Sequence, residues 1–105
     1  EVEGRKYIVN LLSSFTYRGH LCLVFECLWD DLREALRRCT KGRGMTLTAV
    51  RSYSQQLLMA VRHVHRCGIL HADIKPDNIL ISEDLKLVKL CDFGTAMDLK
   101  GIVVS

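Results

Sequence analysis

An apolar stripe in the middle of the chain constrains the fold most. Val50, Tyr53, Leu57, Val61 and Val64 recur every three or four residues, the spacing that lines one face of an α-helix. Thr46 or Thr48 supplies an N-cap oxygen, and Gly68 stands where a helix can end in a left-handed residue. The spacing predicts a helix of about 20 residues that packs its stripe into a core. Before it, YIVNLLSSF (Tyr7 to Phe15) and LCLVFE (Leu21 to Glu26) have the length and composition of strands, the second a buried one. The polar turn between them, with Gly19, predicts an antiparallel hairpin. Asp30 and Asp31 then cap a shorter helix carrying Leu32, Ala35, Leu36 and Cys39, with Arg37, Arg38 and Lys41 near its C-terminal end, where the dipole favours cations. After Gly68 come Ile69-Leu70, Asn78 to Ile81 and Leu87 to Leu90, all of strand length, with a turn at Ser82-Glu83-Asp84. The order is strands, two helices, then short strands, an α+β arrangement without internal repeats.

Composition removes several classes of function. A net charge of +3 over 105 residues does not argue for nucleic acid. The run Arg33, Arg37, Arg38, Lys41 and Arg43 reads as a solvated helix face and loop, with docking of an acidic partner as the alternative. No apolar run approaches the roughly 18 residues of a membrane span. No secretory leader opens the chain, and there is no initiating Met, which suggests a start inside a domain. The five cysteines are odd in number, irregular in spacing and without a CxxC pair. They read as reduced thiols of an intracellular protein, mostly small core residues. In His63-Val-His65-Arg-Cys67 only His63 and Cys67 share a helix face, which disfavours a metal cluster there.

The segment LHADIKPDNILIS, residues 70–82, is harder to explain as structure alone. Two aspartates, a lysine, an asparagine and the only proline of the chain lie between apolar runs, and charges at the edge of a core are costly without compensation. Strand ends hold a loop rigid, and rigid loops carry reactive groups. Nineteen residues after Asp73, directly after the strand VKLC, comes Asp92-Phe93-Gly94. Two carboxylates, an amide oxygen and an ammonium thus come from two loops flanking one hairpin. Phosphoryl transfer needs this set: hard oxygen ligands for Mg²⁺, a cation near the migrating phosphate, and an acceptor that orients the incoming hydroxyl.

His71, Asp73 and Asn78, with Asp92, Phe93 and Gly94, match the H-R-D-x-x-x-x-N and D-F-G patterns, and the chain resembles the eukaryotic protein kinases. With Lys75 the agreement covers seven positions, about a one-in-a-billion coincidence at roughly one in twenty per residue. The resemblance implies a partial protein-kinase-like fold: 1–28 the end of the small lobe and the hinge, 29–105 the start of the large lobe with its catalytic and metal loops. It implies ATP and Mg²⁺ as cofactors and a Ser/Thr hydroxyl of a protein as acceptor. Asp73 would be the general base and Lys75 would steady the γ-phosphate, while Asn78 and Asp92 would hold the metal. Phe25 would be the gatekeeper beside the adenine, the backbones of Glu26 and Leu28 would bond its edge, and Leu80 would be its floor. Leu11, His71 and Phe93 would belong to the apolar stack aligning the lobes. Phe93 would also set whether Asp92 points inward, and Gly94 would permit the turn after it. Each residue alone has a plainer reading: Leu11, Phe25 and Leu80 as core, Lys75 as a surface charge, Asn78 as a turn residue, Asp73 and Asp92 as caps.

The DIKPDN form is similar to serine/threonine kinases. HADIKPDNIL, RSYSQQL and LKLCDFG resemble the pre-mRNA-processing kinases of the CMGC group, relatives of the dual-specificity tyrosine-regulated kinases. That resemblance implies a nuclear enzyme acting on splicing factors, with no direct contact to nucleic acid or membrane. Ala72 departs from the pattern: it stands where the family carries the arginine that pairs with an activation-loop phosphate. No Gly-rich loop, no β3 lysine and no A-P-E region lie within the 105 residues. The expectation is a middle portion of a kinase domain, with a non-catalytic truncated kinase or a partner-binding pseudokinase as the alternative. A glycine loop and a V-A-I-K-like lysine upstream in the gene would separate the two. The 105-residue chain alone is expected to be marginally stable and to turn over no ATP. An ATPase and kinase assay on the purified chain checks this, and measurable turnover contradicts it.

Overall fold

The computed structural model describes residues 2–41, 43–92 and 96–98. Helix α1 (Val2–Arg5) is followed by strands β1 (Leu11–Tyr17) and β2 (His20–Phe25). Strand β3 (Asp30–Asp31) leads into helix α2 (Leu32–Thr40), and helix α3 (Leu47–Arg66) follows. Then come β4 (Ile69–Leu70), a single 3-10 turn (Pro76–Asn78), β5 (Ile79–Ile81), β6 (Val88–Leu90) and β7 (Met97–Asp98). β1 and β2 form an antiparallel hairpin, β3-β5-β6 an antiparallel sheet of three strands, and β4-β7 an antiparallel pair.

The caps are those the sequence calls for. Asp31 accepts the Glu34 N–H at 2.8 Å, and Thr46, rather than Thr48, accepts the Ala49 N–H at 3.2 Å. Gly68 follows the C-cap of α3 with φ +80°. The β1–β2 hairpin turns on Arg18 and Gly19, both at positive φ, the backbone that matches strand twist.

The core joins Leu32 and Ala35 of α2, Tyr53 and Ala60 of α3, and Ile79, Ile81, Val88 and Leu90 of the sheet. Its α3 face is turned relative to the apolar stripe. The buried residues of the helix are Tyr53, Gln56, Ala60 and Val64, while Val50 is exposed. Gln56 belongs there because it binds backbone that helix and strand leave open. Its amide nitrogen donates to the Lys86 carbonyl at 2.9 Å and its Oε1 accepts the Val88 N–H at 2.9 Å.

Three expectations change. The segment from Tyr7 to Phe15 is not one strand. Residues 7–10 run beside β6, where the Leu90 N–H donates to the Tyr7 carbonyl at 2.8 Å and the Val9 N–H to the Leu90 carbonyl at 3.0 Å, and the strand proper starts at Leu11. Helix α1, unsignalled by periodicity, presses on α3 through Gly4, where a Cβ would collide with the Met59 carbonyl and the His63 side chain. β2 is not buried: Leu21, Leu23, Val24 and Phe25 are exposed, because the core cluster lies in the β3-β5-β6 sheet and its helices. Nor are the cysteines core residues. Cys27, Cys39 and Cys67 are exposed, Cys22 and Cys91 half-buried, and all five are free thiols.

The Cys67 Sγ lies 3.8 Å from His63 Nε2, and among the described residues no three metal-capable side chains gather. Among the same residues no helix is long and apolar enough to cross a membrane. Replacing Gln56 by Leu keeps the volume but strands the buried Val88 N–H and removes the partner of the Lys86 carbonyl. The expected loss of stability is about 2–3 kcal/mol, read as a lower urea midpoint at unchanged m-value.

Candidate active site

β4 delivers the chain to His71, which is 2% exposed. Its Nδ1 accepts the Asp73 N–H at 3.1 Å. An accepting Nδ1 puts the ring proton on Nε2, which donates to the Cys91 carbonyl at 2.8 Å. The buried imidazole thus fixes the backbone of Asp73 and ties the loop to the end of β6.

Lys75 opens the 3-10 turn and Pro76 takes its first position, where a missing N–H costs nothing. The Asn78 N–H closes the turn on the Lys75 carbonyl at 2.8 Å. Asn78 is buried, and its amide nitrogen donates to the Asp73 carbonyl at 2.9 Å and to Asp73 Oδ2 at 3.0 Å. Lys75 Nζ lies 3.7 Å from Asp73 Oδ1. Asp73, Lys75 and Asn78, within six residues of one another, therefore form one cluster.

The strand end that leads to Asp92 is tied to this cluster through the backbone of Cys91. The Cys91 N–H donates to the Asn78 carbonyl at 3.0 Å, and the Cys91 carbonyl receives His71, so the residue before Asp92 is held on both sides. Asp92 is exposed and has φ +58°. With both amide hydrogens of Asn78 spent on Asp73, its Oδ1 is left as a hard acceptor, and Asp92 adds a carboxylate. That donor pair fits Mg²⁺, which takes oxygen ligands and keeps several waters. Burial, then the charges of Asp92 and Asp31, push the Cys91 thiol above its ordinary pKa, so it stays protonated beside the carboxylates. Phe93 and Gly94 lie outside the described residues.

The hinge residues run from β2 to the three-stranded sheet. The Glu26 N–H donates to the Asn10 carbonyl at 2.9 Å, and the Trp29 N–H to the Ile81 carbonyl at 3.1 Å, pinning both ends. The Glu26 N–H is thereby spent on Asn10. Leu28 and Leu80 are half-buried, and Phe25 is exposed opposite Leu11 in the hairpin. Leu11 is itself exposed and outside the buried cluster.

Lys89 escaped the sequence reading. It sits in the middle of β6, 8% exposed, with its Nζ 2.6 Å from Glu26 Oε1. A lysine between Val88 and Leu90 in a strand of core length was the visible signal, since a buried ammonium demands a partner. Its partner, 63 residues away, was not legible. Burial raises the Glu26 carboxyl, but the hydrogen bonds from Lys89 and the Asn10 N–H outweigh it and hold the group below its ordinary pKa.

A protein kinase domain model matches residues 1–103. The chain is 40% identical over 96 residues to serine/threonine-protein kinase prp4 of Schizosaccharomyces pombe, covering 91% of this chain and 20% of that protein. It is 41% identical over 92 residues to serine/threonine-protein kinase prpf4B of Dictyostelium discoideum, covering 88% and 11%. It is 35% identical over 94 residues to dual specificity tyrosine-phosphorylation-regulated kinase 3 of Rattus norvegicus, covering 89% and 16%. The chain thus spans a fifth or less of the length of these curated relatives.

Ala72, between His71 and Asp73, has φ +73°, a conformation that costs a residue with a Cβ roughly 1–2 kcal/mol. Ala72→Gly removes that strain but adds unfolded-state entropy, for a net gain of about 0.5–1 kcal/mol, seen as a higher melting temperature. A lower one would show that the loop does not hold this backbone.

Proposed function

The chain belongs to the protein kinase family, and from that premise we propose that it carries the phosphoryl-transfer centre of a serine/threonine kinase that uses ATP and Mg²⁺. One observation carries the proposal: Asp73, Lys75 and Asn78 form a hydrogen-bonded set closed against the strand end that leads to Asp92. Asp73 orients the acceptor hydroxyl and takes its proton as general base. Its carboxylate is aimed by the Asn78 amide on one oxygen and faces the Lys75 ammonium with the other. Lys75, half exposed, is free to turn from Asp73 toward a γ-phosphate that carries more negative charge. Asn78 Oδ1 and the Asp92 carboxylate would hold Mg²⁺, which when bound neutralises charge on the nucleotide phosphates.

The Glu26 carbonyl and the Leu28 N–H present an acceptor and a donor to the adenine edge. Phe25 stands beside the ring as gatekeeper and Leu80 lies under it. In this reading residues 1–28 close the small lobe and 29–105 begin the large one. The acceptor is a Ser or Thr of a protein, with splicing factors in the nucleus as the finer proposal. The subfamily resemblance of HADIKPDNIL and LKLCDFG, with the 40% and 41% identity to the prp4 and prpf4B kinases, supports that choice. Ala72 offers no guanidinium to an activation-loop phosphate, so ordering of that loop by phosphorylation needs another cation.

The test is Asp73→Asn in the full-length gene product. The amide keeps an oxygen for Asn78 but is no base, so kcat is expected to fall about a thousandfold, with nucleotide affinity nearly unchanged. Equal turnover in the variant sinks the assignment of Asp73. A full-length protein that binds partners and transfers no phosphate favours the pseudokinase alternative.

A further inference from the structure

We infer that Lys89 is a positioning residue for the nucleotide: it sets the hinge from beneath by holding the Glu26 side chain, and so governs affinity for ATP without touching it. The inference rests on the kinase reading above. Its basis is a junction of three chain segments on one carboxylate oxygen. Glu26 Oε1 accepts from Lys89 Nζ at 2.6 Å and from the Asn10 N–H at 2.9 Å. The Glu26 N–H returns a bond to the Asn10 carbonyl at 2.9 Å. The strand that supplies Lys89 ends two residues before Asp92, and the segment that supplies Asn10 is itself bonded to that strand through Tyr7, Val9 and Leu90.

Direction matters as much as contact. Lys89 is the cross-strand partner of Leu80 in the antiparallel β5–β6 pair, and directly opposed residues put their side chains on the same face of a sheet. The lysine therefore rises on the face that carries Leu80, the proposed floor of the adenine site, and ends on the first hinge residue. Its side chain is 10% exposed and that of Glu26 25%, so the pair is largely shielded and its geometry is worth more than that of a surface ion pair. Glu26 offers the adenine its backbone carbonyl, whose orientation follows from how the residue is held. With the amide committed to Asn10 and the carboxylate to Lys89, the peptide keeps one orientation before nucleotide arrives. Preorganisation of this kind appears as affinity. The chemistry at Asp73 is left untouched.

The experiment uses the full-length gene product with Lys89→Met, Glu26→Gln, the double variant and Lys89→Arg. Dissociation constants for ATP are measured by calorimetry, and kcat and KM are measured for ATP and for a peptide acceptor. Lys89→Met and Glu26→Gln should each weaken ATP about tenfold, the scale of one charge-assisted hydrogen bond. The double variant should be no weaker than either alone, because both remove the same link. In Lys89→Met the ATP KM should rise while kcat at saturating ATP and the peptide KM stay within about twofold. Lys89→Arg should recover most of the affinity. A merely structural lysine would lower the melting temperature and leave the ATP constant of the folded protein unchanged, and that result overturns the inference. If Lys89→Met does not fold, Glu26→Gln keeps the shape and carries the same expectation and the same overturning result. Unchanged ATP affinity in these variants, with Asp73→Asn inactive, removes this inference alone. A wild-type protein that binds no ATP removes the kinase reading and this inference with it.

Discussion

The pairing of β5 with β6 is the constraint on which the proposed site depends. Ile79 opposes Leu90 in that ladder, so the residues just beyond it, Asn78 and Cys91, are neighbours, and the Cys91 N–H reaches the Asn78 carbonyl. Both strands are short, but Ile79, Ile81, Val88 and Leu90 are all buried. Side-chain period 2 makes register strict where a face is buried: a slip by one residue would turn these side chains out of the core. The apolar packing therefore fixes the alignment of two polar loops that would otherwise have no reason to meet. His71 then locks them with one ring, receiving from Asp73 and giving to Cys91.

Several polar groups at the core edge are answered by specific partners, often distant in sequence, while the buried His63 Nδ1 has none among the described residues. Gln56 serves the backbone of residues 86 and 88 from a helix, and the Tyr53 hydroxyl donates to the Leu85 carbonyl at 2.7 Å. Lys89 meets Glu26 across 63 residues. Arg38 pairs with Asp30 and lies over the Trp29 ring at 4.7 Å, fastening α2 to the strand before it. Buried polar groups that are fully paired specify one arrangement, whereas unpaired ones would penalise it. The Arg33–Asp77 pair at 3.4 Å is exposed on both sides and adds little.

The β1–β2 hairpin follows a different rule. It is well paired along its backbone, yet Leu11, Leu12, Phe15, Leu21 and Leu23 are all more than half exposed. Two strands alone have no second layer against which to bury a face. Its side-chain link to the three-stranded sheet is at Glu26, the first residue after β2, whose carboxylate accepts from Lys89 of β6.

Local chemistry determined much of this protein from the sequence alone. Caps at Asp31 and Thr46, the stop at Gly68, the Arg18-Gly19 turn and the strand-length runs are decided within a few residues, where hydrogen-bond geometry and backbone sterics act. Asp73, Lys75 and Asn78 were legible because one turn holds all three. Other features depend on which surfaces meet. The inward face of α3 is rotated onto Gln56 and Ala60 because the sheet edge at Val88 needs an acceptor there. Residues 7–10 were drawn from the hairpin to β6, and the cysteines stayed outside the core. The Lys89–Glu26–Asn10 junction is invisible in one dimension, since its three members are separated by 16 and 63 residues. A sequence states which groups need partners. Only the packed chain decides which partner comes within reach, because that depends on the summed burial of many side chains rather than on the group itself.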